Sequence, residues 1–192
     1  MQELFDGGAA YALGRLNSEC WYLYTLNQPT SIVEADQTLE IIMTDLDQNV
    51  MDIFTKNVCK TSEECTEKSG IDKIFPNAIL DAFLFDPCGY SVNAILPKGH
   101  YFTIHITPEP SCSYVSFETN AESTDYPDLI RRVLEIFKPG QFIYTFFANE
   151  ASVGRDFGKK TYNFKDFVHD VYQETKVKNY NVTYAHFNKK SF

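Results

Sequence analysis

The amino-acid sequence predicts an α+β fold, an antiparallel eight-stranded sheet with helices on one face. Three observations carry the prediction. Short runs of β-branched and aromatic residues recur between residues 79 and 119, each closed by Pro, Gly or Ser. Stretches of helical spacing stand behind aspartate caps. Every link between strands is a tight turn or one crossing helix, the connection pattern of a sheet covered on a single side.

Taken in order, Gly7-Gly8 precedes two aromatic and branched runs, Tyr11 to Arg15 and Cys20 to Leu26, joined at Asn17-Ser18 as a hairpin. Thr38 to Met43 alternates polar and apolar side chains as a strand does. Behind Asp45 and Asp47, Leu46, Val50, Ile53 and Phe54 then take up helical spacing. Ser62-Glu63-Glu64 is the start signal of a short helix. Four strands follow, Ile79 to Phe85, Tyr90 to Leu96, His100 to Thr107 and Tyr114 to Thr119, turning at Pro87 to Gly89, Pro97 to Gly99 and Pro108 to Ser111. Such spacing implies antiparallel pairing. A helix with Asp125 before it and Pro127 in its first turn buries Ile130, Val133, Leu134 and Phe137 and stops at Pro139-Gly140. Phe142 to Ala148 is a strand, the spacing of Phe164, Phe167, Val168 and Val171 predicts a further helix, and Tyr180 to Phe187 is the last strand.

The 192 residues, 44% hydrophobic and 15% aromatic, suffice for one substantial core, and no linker or repeat divides residues 1–192 into more than one domain. A net charge of −9 argues against nucleic acid or a membrane surface as partner. Five cysteines, an odd number with no C-x-x-C pair and no apolar leader before them, are expected to be reduced thiols in the cytosol. No apolar run approaches the roughly 20 residues of a membrane helix.

Two groups of residues invite a chemical reading. A three-residue loop at Pro97-Lys98-Gly99 pairs Leu96 with His100 and therefore sets Ser91 opposite His105, with Cβ atoms about 4.5–5.5 Å apart. A hydroxyl and an imidazole at that separation can share a proton; equally, Ser, Thr and His populate the solvated face of many hairpins. Glu109 lies four residues beyond His105, with Pro108 bending the chain between them. Asp36, Thr38 and Glu40 alternate along one strand and share a face, either as a plain solvated surface or as an acidic site.

The segments Phe85-Asp86-Pro87-Cys88-Gly89-Tyr90-Ser91, Thr103-Ile104-His105-Ile106-Thr107-Pro108-Glu109 and Phe117-Glu118-Thr119-Asn120 resemble the substrate side of the S-adenosylmethionine decarboxylases of eukaryotic, pyruvoyl-dependent type. Blocks from Gly14 to Tyr24, Asp36 to Glu40 and Phe137 to Gly140 extend the likeness over nearly the whole chain. The resemblance implies decarboxylation of S-adenosylmethionine for spermidine and spermine synthesis, with a pyruvoyl cofactor and no metal. Phe85 would stack on the adenine, and Glu109 would accept hydrogen bonds from the ribose hydroxyls. Ser91 and His105 would assist the self-cleavage that makes the pyruvoyl group, His105 taking the proton that lets the ester eliminate. Asp36, Thr38, Glu40 and Glu118, with Phe147 and Tyr180, would bind putrescine, the activating diamine.

The same resemblance covers only a C-terminal half. The family cleaves itself at Glu-Ser-Ser, a sequence absent from these residues, and the one Glu-Ser step, Glu122-Ser123, falls in a predicted loop. The expected fold is then one half of an α/β/β/α sandwich with its second sheet face bare. Such a face favours association, as a weak homodimer or with an N-terminal half or homologous decarboxylase chain. Three readings follow: part of an ordinary decarboxylase that is inactive alone, a non-catalytic putrescine-responsive partner of an active decarboxylase, or a stand-alone ligand-binding domain.

Overall fold

A computed structural model describes residues 7–26 and 34–190. The chain forms β1 (Gly8–Gly14), β2 (Cys20–Leu26), β3 (Gln37–Thr44), α1 (Gln48–Met51), α2 (Ser62–Ser69), β4 (Ile79–Leu84), β5 (Tyr90–Ile95), β6 (Tyr101–Thr107), β7 (Tyr114–Thr119), α3 (Tyr126–Phe137), β8 (Gln141–Asn149), β9 (Phe167–Val177) and β10 (Tyr180–Lys189). Among the described residues eight strands build one antiparallel sheet in the order β4-β5-β6-β7-β3-β8-β10-β9, and β1 and β2 pair separately.

The helices begin where the sequence places their caps. Asp47 accepts from the backbone N–H of Asn49 at 2.9 Å, Thr61 Oγ1 from that of Glu64 at 3.2 Å, and Asp125 from that of Asp128 at 3.0 Å. α3 turns Leu129, Ile130, Val133, Leu134 and Phe137 into the core and stops at Lys138, which takes a left-handed conformation. α1, α2 and α3 all lie on one side of the sheet, over Leu39, Ile41, Met43, Ile104, Val115 and Phe117. Each such side chain taken wholly out of water contributes about 1.5–3 kcal/mol, so this layer fixes which residues face the other way.

Two expectations are corrected. Residues 164 to 171 do not form a helix; Phe167–Val177 is the edge strand β9. Its pairing with β10 sets Phe187 opposite His169 and His186 opposite Val171, so Asp170 bulges. The bulge sends Phe167 to the helical side and Val171 to the other, which breaks the two-residue alternation and leaves a spacing that mimics a helix. Nor is the second face bare throughout. The β1–β2 hairpin covers its β8-β10-β9 end, where Leu13 packs with Ile143, Val177, Val182 and Tyr184. Gly14 N–H donates to Gln173 Oε1 at 3.0 Å and Arg15 pairs with Asp170 at 3.0 Å. Gly14 has φ +101°, and a Cβ there would come within 3.1 Å of the Tyr184 ring, so this close approach requires glycine.

All five cysteines are free thiols. Among the described residues no helix is long and apolar enough to cross a membrane.

Candidate active site on the uncovered sheet face

Among the described residues nothing covers the other half of the second face, which belongs to β4, β5, β6, β7 and β3. The turn at Pro97–Gly99 places Lys98 in the left-handed region, and Leu96 N–H closes it on His100 O at 2.8 Å. Ser91 of β5 consequently stands directly opposite His105 of β6, and Ser91 Oγ lies 2.9 Å from His105 Nδ1. The register expected from the turn is the one observed. Around this pair, His105 Nε2 lies 3.3 Å from Thr103 Oγ1, and Thr103 Oγ1 donates to Asn93 Oδ1 at 2.9 Å.

Phe85 follows β4 and shares the face, two residues beyond Phe83, which sits opposite Ser91. The two rings meet edge-on with centroids 4.8 Å apart, and Phe85 keeps 45% of its surface exposed. Phe85 N–H donates to Gly89 O at 2.8 Å, closing a loop around Asp86 to Cys88. β6 ends at Thr107, so Glu109 does not continue the His105 row. It reaches the same loop instead: burial, and then the neighbouring Glu109 carboxylate, push the Cys88 thiol up. Phe85 and Glu109 thus flank one loop at the sheet end next to Ser91 and His105.

The acidic residues gather on the same face. A single row of paired residues crosses the strands as Asp81, Asn93, Thr103, Glu118, Glu40 and Thr145. Glu40 and Glu118 stand directly opposite one another; burial, then the Glu118 charge, push the Glu40 carboxyl up to about 7. Tyr101 donates its hydroxyl to Glu118 Oε1 at 2.6 Å, and Tyr180 donates to the Asp36 carboxylate. Both phenols are pushed up to about 12, by burial first and by those carboxylates second. Thr38 pairs with Phe147, whose ring, with that of Tyr180, packs against the cluster of Leu13, Ile143, Val177, Val182 and Tyr184. Beside Glu40, Thr145 is 1% exposed and its Oγ1 has no hydrogen-bond partner.

The structure therefore brings the sequence candidates into two adjoining groups. Ser91, His105, Phe85 and Glu109 form one; Asp36, Thr38, Glu40, Glu118, Phe147 and Tyr180 form the other, joined to the first where Thr103 pairs with Glu118. Phe83, Asn93, Tyr101, Thr103 and Thr145 join them without being among the sequence candidates. Strand parity alone singles out four of them, because each lies two or four residues from Phe85, Ser91 or His105. Among the described residues no cluster of three or more His, Cys, Asp or Glu is placed to hold a metal ion.

Residues 1–188 match the family model of adenosylmethionine decarboxylase. The chain belongs to the adenosylmethionine decarboxylase family. It is 50% identical over 154 residues to the S-adenosylmethionine decarboxylase proenzyme of Xenopus laevis, a match covering 79% of this chain and 46% of that one. The Drosophila melanogaster proenzyme is 48% identical over 166 residues, covering 80% of this chain and 48% of its own length. This member of the decarboxylase family spans about half the length of those curated relatives. The crystal structure of the Trypanosoma brucei AdoMetDC-delta26 monomer shares its fold, with a TM-score of 0.76 at 24% identity over 99% of this chain and 75% of that one.

Proposed function

We propose that residues 1–192 are a single unit, the C-terminal half of an S-adenosylmethionine decarboxylase that serves spermidine and spermine synthesis in the cytosol. The observation that carries the reading is the Ser91–His105 hydrogen bond of 2.9 Å on the uncovered half of the sheet, beside a convergent acidic cluster. A solvated hairpin face has no need of an oriented imidazole, an exposed aromatic pair and facing carboxylates in adjoining rows.

A pyruvoyl group supplies an electron sink for decarboxylation wherever it is bound. The residues here fit its surroundings but not its source. Ser123, in the one Glu-Ser step, accepts from the backbone N–H of Asp125 at 3.0 Å in the turn that opens α3. The reactive serine must come from another polypeptide segment, an N-terminal half or a homologous decarboxylase chain. Within the assembled site, His105 accepts a proton at Nδ1 across the Ser91 hydroxyl, the step that assists self-cleavage. Phe85 offers its ring to the adenine and Glu109 accepts from the ribose hydroxyls. Asp36, Thr38, Glu40 and Glu118 receive putrescine between the Phe147 and Tyr180 rings; a dication there relieves the repulsion between Glu40 and Glu118.

Ile79, Phe83 and Ile95 are 70%, 61% and 65% exposed on the same half-face, an apolar surface suited to the missing segment. The test is carbon dioxide release from carboxyl-labelled S-adenosylmethionine. The chain alone is expected to release none and to keep its full mass, whereas a mixture with an N-terminal half carrying Glu-Ser-Ser is expected to be active. Two self-cleavage fragments from the chain alone would overturn the reading.

A second reading, a non-catalytic putrescine-responsive partner, is favoured by the acidic cluster standing in a chain without Glu-Ser-Ser. It requires the chain to alter the putrescine dependence of a full-length decarboxylase. Binding of S-adenosylmethionine with no effect on either partner would favour a stand-alone domain.

A further inference from the structure

We propose that Thr103 and Asn93 are positioning residues that hold His105 in one tautomer, with the proton on Nε2 and Nδ1 turned bare toward Ser91. A threonine hydroxyl has one proton to give. Thr103 gives it to Asn93 Oδ1 at 2.9 Å, while Glu118, its neighbour on the other side, takes the Tyr101 hydroxyl at 2.6 Å. Toward the imidazole, Thr103 Oγ1 therefore presents only lone pairs, and His105 Nε2 at 3.3 Å must be the donor. A neutral ring carries one N–H, so Nδ1 is an acceptor and the Ser91 hydroxyl, 2.9 Å away, donates to it.

The relay runs one way: Ser91 O–H to Nδ1, Nε2–H to Thr103 Oγ1, Thr103 O–H to Asn93 Oδ1. When Ser91 Oγ takes a proton from the reacting group and passes its own to Nδ1, the two N–H groups of the ring face Ser91 Oγ and Thr103 Oγ1, so no heavy atom of the relay has to move. Sheet register builds the arrangement, because Asn93 pairs with Thr103 and Ser91 with His105 on the same two strands. One row of the hairpin thereby orients the next. The significance for processing rests on the function proposed above, whereas the tautomer itself does not.

Long-range proton–nitrogen correlation spectra of the ¹⁵N-labelled 192-residue chain, at about pH 8.5 where an ordinary imidazole is neutral, read the tautomer directly. His105 is expected to show a protonated Nε2 and a bare Nδ1. Thr103→Val and Asn93→Leu are each expected to release it into exchange between tautomers, and Asn93→Asp, an acceptor only, to keep the wild-type pattern. The signals of His100, His169 and His186 serve as controls that each variant is folded. A proton found on Nδ1 in the wild type, the result of Asn93 donating through its amide instead, would overturn the proposal. So would a Thr103→Val spectrum identical to the wild type. Joined to an N-terminal half carrying Glu-Ser-Ser, Thr103→Val is expected to slow self-cleavage about tenfold, a fraction of the roughly 10²–10⁴ a positioned base contributes, with Asn93→Asp near wild type. Failure of even the wild-type assembly to cleave would count against the decarboxylase reading alone, since the spectra decide the tautomer independently.

Discussion

Glu40 should make the folded chain lose stability as the pH rises through the neutral range. Its carboxyl is pushed from the ordinary 4.5 up to about 7, by burial first and the Glu118 charge second. A carboxyl that holds its proton more tightly when folded contributes stability that is complete below the unfolded value. That contribution disappears as pH climbs to the folded value, because the unfolded chain has already given its proton up. The full difference corresponds to about 3 kcal/mol at 1.36 kcal/mol per pH unit. Glu40 is only half-buried and water screens it, so about 1–2 kcal/mol is expected. For a chain of this size that is a fall in Tm of about 2–8 °C between pH 5 and pH 8. Thermal melts followed by circular dichroism, wild type against Glu40→Gln, isolate this group from every other carboxylate. The wild-type curve should fall further with pH than the variant's; parallel curves would refute the burial and repulsion assigned to the pair. Under the proposed function, saturating putrescine should offset the loss, adding about 2.7 kcal/mol at 100 times its Kd and doing so more at pH 8 than at pH 5. A folded chain whose melting ignores millimolar putrescine would mean that the diamine site requires both halves.

Three further outcomes are expected. Thr66 Oγ1 donates to Ser62 O at 2.8 Å and so must accept from the buried Tyr90 hydroxyl at 2.6 Å; Thr66→Val, which orphans that hydroxyl, should cost about 1–3 kcal/mol in urea unfolding, and Tyr90→Phe distinctly less. Gly14→Ala should loosen the hairpin from the sheet, costing about 1–3 kcal/mol through its left-handed backbone and the Tyr184 contact, with the change reported by the fluorescence of Trp21, the sole tryptophan. Ile95→Lys, at a position 65% exposed, should weaken self-association or capture of an N-terminal half in light scattering while leaving Tm within a degree or so; unchanged association would place the contact elsewhere.

The parts of this molecule that are legible in the sequence are those where local rules agree with tertiary packing. The Pro97–Gly99 turn sets the Ser91–His105 pairing by itself, because turn length fixes register and register fixes faces. Asp47 and Asp125 announce their helices for a similarly local reason. β9 is not legible in the sequence because its bulge at Asp170 exists only in relation to β10; nothing within residues 167 to 171 records which of them a distant strand will skip. The hairpin is legible as a hairpin, whereas its docking over β8, β9 and β10 depends on Gly14 meeting Tyr184 far along the chain. In the candidate site, alternation places Asp36, Thr38 and Glu40 on one face, but the opposition of Glu40 to Glu118 requires the β3–β7 pairing. That pairing joins strands separated by two helices and three other strands.

The strand order also dictates a sequence of events in time. β3 lies between β7 and β8, so the first strand of the main sheet to leave the ribosome has no neighbour until residues beyond Tyr114 and then Gln141 are made. The meander β4 to β7 closes through short turns and forms readily; β3 must wait through two long loop closures, with Leu39, Ile41 and Met43 unburied meanwhile. Pulse-labelled hydrogen exchange during refolding should therefore protect β5 and β6 amides before those of β3, and simultaneous protection would contradict this order. Ser91 faces His105 within the early meander, whereas Glu40 joins Glu118 only when β3 is seated. The proton-sharing pair is thus born before the acidic site beside it, and any nascent chain that stalls between the two stages carries the first without the second.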